Sequence, residues 1–243
     1  MTTEHLLYFL LLALLAEILG TIGGFGSSMF FVPIASYFMD FHSVLGITAV
    51  FHVSSNIAKI TLFRQGLDYR LVVWLGIPAV LAVIVGAWLS QYVPTNWLTI
   101  LLASFLIVLS LLLLIFRNFV LPPTLPVTLT GGAISGLLAG LLGTGGAVRG
   151  LTLAAFNLKT DTFIATSVLI DLCIDASRSV IYTWNGYVHT HDLYLIPLLL
   201  VVSFVGTWLG KKILAKMSED QFRTWVLWLI LLTGLFALVK PLL

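Results

Sequence analysis

The chain of 243 residues is 60% hydrophobic and 9% charged, with 12 Lys and Arg against 10 Asp and Glu. Soluble domains carry roughly a quarter charged residues, so this chain cannot cover a water-facing surface, which excludes a cytosolic enzyme, a nucleic-acid binder and a disordered tail. Apolar stretches of about 20 residues recur along its length and read as an all-α polytopic membrane protein whose function sits inside the bilayer. A formal net charge of +2 is too small for a polyanionic partner, and the single Cys173 can form no internal disulfide.

Breaking the apolar runs at charges, prolines and turn residues predicts about ten helical segments; none alternates apolar and polar residues as a barrel strand would. The first, 5–22, has no Lys or Arg before its apolar run and no small-residue cleavage pattern, so it reads as a retained membrane helix rather than a removed leader. A glycine-rich break, Gly23-Gly24-Phe25-Gly26-Ser27-Ser28, opens a short segment at 27–39, followed by 44–63, 71–90, 96–116 and 125–142. A second break, Gly143-Thr144-Gly145-Gly146, opens another short segment at 146–157, followed by 162–184, 193–210 and 222–239. Both short segments fall below the length needed to cross about 30 Å at about 1.5 Å per residue, so they read as half-helices or re-entrant pieces packed inside protein.

If every segment changes sides, Arg64, Arg70, Arg117, Lys159, Lys211, Lys212, Lys216 and Arg223 share one face and Lys240 the other. This positive-inside bias predicts that both termini lie outside the cytoplasm. The remaining cations, Lys59, Arg149 and Arg178, fall within membrane segments.

The two halves, 1–120 and 121–243, resemble each other. Gly24-Phe25-Gly26 answers to Gly143-Thr144-Gly145, Gly66 to Gly186, Ile77-Pro78 to Ile196-Pro197, and Gly86-Ala87-Trp88-Leu89 to Gly206-Thr207-Trp208-Leu209, at an offset of 119 or 120 residues. Equivalent loops carry opposite charge patterns, as five crossings per repeat demand. The fold expected is two inverted five-segment repeats within one membrane domain, the architecture of many secondary transporters, with a substrate site near the midplane.

Polar residues mark that site. Thr48, His52, Asn56 and Lys59 form one helical stripe, and Ser167, Asp171, Asp175 and Arg178 form another, each position matching at offset 119. A charge at a helix centre costs about 2.5–3.5 kcal/mol on insertion scales, so Lys59, Asp171, Asp175 and Arg178 must face one another, water or a ligand. Lys59 and Arg178 offer a point charge and a planar fork suited to a small oxyanion. Asp171, Asp175 and His52 are candidate carriers of a coupling proton. The plainer alternative is that Asp171 and Asp175 pair with Lys59 and Arg178 to pack the helices.

The glycine-rich breaks would add backbone N–H groups at helix N-termini, making Gly24, Gly26, Ser27, Ser28, Gly143, Thr144, Gly145 and Gly146 further candidates; glycines also permit close helix packing. Arg149, one turn into the second short helix, extends the anion path or snorkels. Pro78 and Pro197 are expected to kink their helices. Glu17 reads as a local ion-pair partner or a proton site, and Cys173 as a buried small residue. The His189-Thr190-His191-Asp192 cluster reads as solvated loop rather than a metal site. No cofactor or metal is expected, and the oligomeric state is not legible.

The Gly24-to-Pro33 run, Ala165-Thr166-Ser167, Arg64-Gln65-Gly66-Leu67-Asp68 and the Gly-Ala-Trp-Leu and Gly-Thr-Trp-Leu pair together resemble the sulfite exporter TauE/SafE family, also called the toluene sulfonate uptake permease family. The resemblance implies a secondary transporter of sulfite, sulfonates or related sulfur-containing anions in a prokaryotic cytoplasmic membrane. Ser27 and Ser28 depart from the family's usual Gly-x-Gly-Gly-Gly form and place hydroxyls where an oxyanion could contact them. The function expected is proton- or potential-coupled transport of such an anion, with a carrier of carboxylates or another small anion as the alternative. An intramembrane enzyme is disfavoured, because no activated serine elbow or ligand trio accompanies His52 and Asp171.

Overall fold

A computed structural model of the chain describes residues 3–23, 26–62, 66–116, 121–214 and 216, with 227–228, 230–235 and 238. The described residues are helical with no strand: α1 (Thr3–Gly23), α2 (Ser28–Ala35), α3 (Phe41–Leu62), α4 (Tyr69–Leu89), α5 (Thr95–Ile115), α6 (Leu125–Leu142), α7 (Gly146–Ala154), α8 (Thr160–Trp184) and α9 (Leu195–Leu214). The tenth expected segment is described only at 227–228, 230–235 and 238, all helical. Arg64, Arg117, Arg223 and Lys240, four of the cations used for orientation, lie outside the described residues, as does Gly24.

Among the described residues six helices, α1, α3, α4, α5, α6 and α9, are long and apolar enough to cross a membrane. The longest, α8, has 25 residues but carries Asp161, Asp171, Asp175 and Arg178. The protein is therefore a multi-pass membrane protein. The apolar rings and chains left outside, such as Leu81, Val85, Trp88, Val108, Ile115 and Val201, suit contact with lipid. Cys173 belongs to this outer surface, contrary to expectation: on a helix whose charges turn inward, the opposite face meets lipid.

The two short helices have 8 and 9 residues, about 12–14 Å at about 1.5 Å per residue. Every residue of α2 except Ile34 is buried, so its free backbone ends are enclosed by protein. Pro33 sits inside α2 and Pro78 inside α4. Pro197, expected mid-segment, instead lies in the first turn of α9, where its missing N–H removes no helical bond.

Packing follows a paired scheme. Helix α4 lies along α6, α1 along α9, α3 against α8, and α2 touches α7. The α4–α6 contact is made by small residues: a Cβ built on Gly132, Gly136 or Gly140 would stand 2.3, 2.0 or 2.4 Å from the carbonyl oxygens of Leu75, Ala79 or Val83. Glycine at every fourth position thus sets one backbone directly on the other, where dispersion rather than solvent exclusion drives association.

Loops gather at two ends. At one, the Lys211 ammonium donates to the Leu62 carbonyl at 2.7 Å and Gly66 abuts Thr162, so α3, α4, α8 and α9 share that end. At the other, the Tyr187 and Ser90 hydroxyls are 3.0 Å apart and the Asn185 amide donates to the Ala87 carbonyl at 3.1 Å. There Asp40 precedes α3; burial pushes its carboxyl up, but the Ser43 hydroxyl and N–H it accepts hold it below the usual carboxylate range.

Gly136→Val should separate α4 from α6 and cost more than about 3 kcal/mol, whereas Gly186→Ala, at φ +78° with open space around it, should cost about 1–2 kcal/mol of backbone strain. Thermal unfolding in detergent should show the first variant far less stable; equal melting would contradict the packing.

Candidate functional site

The site begins where the helices break. Gly143 ends α6 in the left-handed region at φ +75°, and three residues later α7 starts. Gly26 is likewise left-handed, at φ +86°, ahead of α2. The Ser27 hydroxyl makes no cap bond to its own helix and is left for other work. The two breaks meet across the protein through the Ser28 and Thr144 hydroxyls, 3.3 Å apart.

Around these breaks lie three cations and three carboxylates, joined pairwise. Lys59 of α3 reaches Glu17 of α1 at 2.9 Å. Arg178 of α8 grips Asp175 one turn earlier, its Nε and a terminal nitrogen at 2.8 and 2.7 Å. Arg149 of α7 forks onto both oxygens of Asp171 of α8. Charges buried in hydrocarbon persist only when so compensated.

Each pair is held differently. Glu17 also accepts from Thr21 at 3.3 Å, Ser27 at 2.6 Å, Thr207 at 3.1 Å and Ser55, which in turn accepts from Lys59. The single Ser27 hydrogen goes to Glu17, so the 3.1 Å contact between Ser27 and His52 Nε2 is donated by the ring. Arg178 also donates to the Gly143 and Ala139 carbonyls at 2.8 and 3.3 Å, satisfying acceptors at the end of α6. Tyr182 adds a bond to the Gly140 carbonyl at 2.6 Å. Asp175 accepts from Asn56 at 2.6 Å. Arg149 Nε donates to Ser167 at 3.1 Å.

The expected site residues therefore largely converge. A narrow internal cavity is walled by Gly26, Ser28, His52, Asn56 and Lys59 from one half of the chain and by Gly143, Gly145, Gly146, Arg149, Asp171, Asp175 and Arg178 from the other. Ser27 and Ser167 stand just behind that wall, bonded to His52 and Arg149 of its lining. Thr48 does not join it: the residue is fully buried and its hydroxyl finds no partner among the described residues.

Lys59 does not pair with Asp171 or Asp175 as the packing alternative had it, because Glu17 reaches it from α1. Arg149 is 1% exposed and does not snorkel. Glu17, which the sequence offers as a local ion-pair partner or a proton site, is the most densely bonded carboxylate of the cluster. Charge counting was the signal: three membrane cations against Asp171 and Asp175 leave one carboxylate wanting. The loop cluster behaves differently, with the exposed His189 and His191 stacked at 5.2 Å and His191 3.5 Å from the buried Asp192. No group of three metal-ligating side chains occurs among the described residues.

The sequence model of the family described as Sulfite exporter TauE/SafE matches residues 9–237, and the chain belongs to that family. No curated protein and no solved structure matches it. Its family is one of membrane transporters, in agreement with a site enclosed among membrane helices.

Lys59→Met leaves Glu17 buried without its cation and should cost about 3–5 kcal/mol; Glu17→Gln/Lys59→Met should recover most of that. A double-variant melting cycle checks this, and additive losses would contradict a coupled pair.

Proposed function

We propose that this member of the sulfite exporter family is a secondary transporter that carries a small sulfur-containing anion, sulfite or an organosulfonate, through the cavity between its two broken helices. The observation that carries the reading is the cluster itself: three cations and three carboxylates with no net charge, packed where two helix N-termini begin. A neutral cluster admits an anion only when a carboxylate gives up its negative charge, which ties anion binding to a proton. Asp171, Asp175 and His52 line the cavity and are the groups able to carry it. Gly26, Ser28, Thr144, Gly145 and Gly146 would supply N–H and hydroxyl donors to the anion's oxygens, with Asn56 and Ser167 holding the charged groups in place.

The architecture proposed is a pair of inverted five-helix repeats, 1–120 and 121–243. Its support is that exchanging α1 with α6, α2 with α7, α3 with α8 and α4 with α9 reproduces the helix pairing. Asn56 and Asp175, 119 positions apart, bond to each other as residues on a pseudo-two-fold axis would. The end bearing Arg70 and Lys211 is proposed to face the cytoplasm and both termini the outside, in the cytoplasmic membrane.

Proteoliposomes given labelled sulfite, thiosulfate, sulfate, a simple alkanesulfonate and acetate should move a sulfur anion, faster with an imposed pH gradient. Transport of acetate alone, or sulfur-anion flux indifferent to both pH gradient and membrane potential, would overturn the reading.

A further inference from the structure

The three ion pairs are not equally able to open. Glu17 is encased by five donors from α1, the α2 cap, α3 and α9. Arg178 is pinned to the α6 carbonyls whatever Asp175 does, and Asp175 keeps Asn56. Arg149 and Asp171 have far less: beyond one bond to Ser167, the guanidinium's terminal nitrogens go to Asp171, and Asp171 accepts from no other described side chain. Its side chain is 17% exposed, against 0% for Glu17 and 5% for Asp175. It also borders two adjoining cavities, the one described and another reaching Gly20, Thr21 and Ile164.

We propose that the Arg149–Asp171 fork is the exchange point of the transporter: a proton arriving through the cavity neutralises Asp171, and a monoanionic oxyanion takes the vacated place on Arg149. This rests on the transport reading above and names its substrate class and coupling residue. The guanidinium fork matches any centre bearing two oxygens, a carboxylate or a sulfonate alike, so substrate and Asp171 compete for the same N–H groups. One proton on Asp171 and one negative charge on Arg149 leave the buried cluster neutral in both states, whereas a dianion would leave it at one negative charge. The site therefore selects sulfonates and hydrogen sulfite over sulfate. The charged and titratable groups facing Asp171 are Arg149 from α7, Lys59 and His52 from α3, and Asp175 and Arg178 from α8; Glu17 of α1 stands behind Lys59, and α4 and α6 bring none to the cavity. Lys59 and Arg178 keep their own carboxylates throughout, so Arg149 alone changes partner.

The test uses the purified full chain in detergent and an alkanesulfonate, whose charge is fixed across the usable pH range. Calorimetry in buffers of different ionisation heat reads the protons taken up per anion bound. Wild type should take up about one proton, with affinity falling about tenfold per pH unit once Asp171 is ionised. Asp171→Asn should bind with no uptake and a flat profile. Arg149→Lys should keep the slope and bind more than tenfold weaker, having lost the fork. Arg149→Gln/Asp171→Asn, with both charges removed, should fold and not bind. A flat wild-type profile, or a slope surviving in Asp171→Asn, overturns the inference while sulfonate binding leaves the transport reading standing. Acetate bound in place of sulfonate, with the slope lost in Asp171→Asn, supports the fork and overturns the sulfur substrate. Binding of neither anion overturns both.

Discussion

An ionised side chain cannot sit alone in hydrocarbon, and the interior of this protein is organised around that constraint. With three cations inside the membrane helices, on α3, α7 and α8, three carboxylates had to be brought to them at hydrogen-bond distance, one from α1 and two from α8. The helices that carry these groups, α1, α3, α7 and α8, are thereby fixed in depth and rotation relative to one another. The broken segments follow from the same requirement. Where α6 ends ahead of the short α7 its last carbonyls lack helical partners, and Arg178 of the cluster supplies donors to them, while the Ser28 and Thr144 hydroxyls join one break to the other.

Two helix contacts that the proposed repeat makes equivalent solve the packing problem in opposite ways. Helices α4 and α6 close on glycines, with Gly86 set against the Leu137 carbonyl and Gly136 against Ala79. At the matching place between α9 and α1, Gly206 lies under the stem of Glu17 and Thr207 donates to its carboxylate. Thus Ala87 in one Gly-x-Trp-Leu motif and Thr207 in the other reflect what each faces. One half of the molecule is joined by close backbone contact and the other by a buried polar hub, and the hub holds Lys59 away from Arg149 and Arg178. That division leaves the Arg149–Asp171 fork as the lightly held element of the cluster.

Much of this was legible in the residues. Segment positions followed from apolar runs because a membrane helix must be long and uninterrupted, and the span at 125–142 agrees at both ends. The short helices announced themselves through Gly26 and Gly143, whose left-handed backbones only glycine adopts readily. The stripes on α3 and α8 were visible because helical spacing forces Asn56 and Asp175 onto inward faces. The pairing was not visible. Lys59 could be placed on a face, but its partner lies on α1, 42 positions earlier in the chain, and that choice depends on α1 lying along α9, which no local pattern specifies. Cys173 failed for a related reason: opposite the charges was read as buried, whereas in a membrane protein the side away from the polar interior is the lipid surface.

The central claim is that a carboxylate of the cluster is protonated as the anion binds. Infrared difference spectroscopy of the reconstituted protein measures this most directly, by recording the carbonyl stretch of a protonated carboxylic acid when sulfonate is added at constant pH. This band should appear on anion addition in the wild-type protein and be missing in Asp171→Asn. Anion binding with no such band, or the same band in Asp171→Asn, would contradict it.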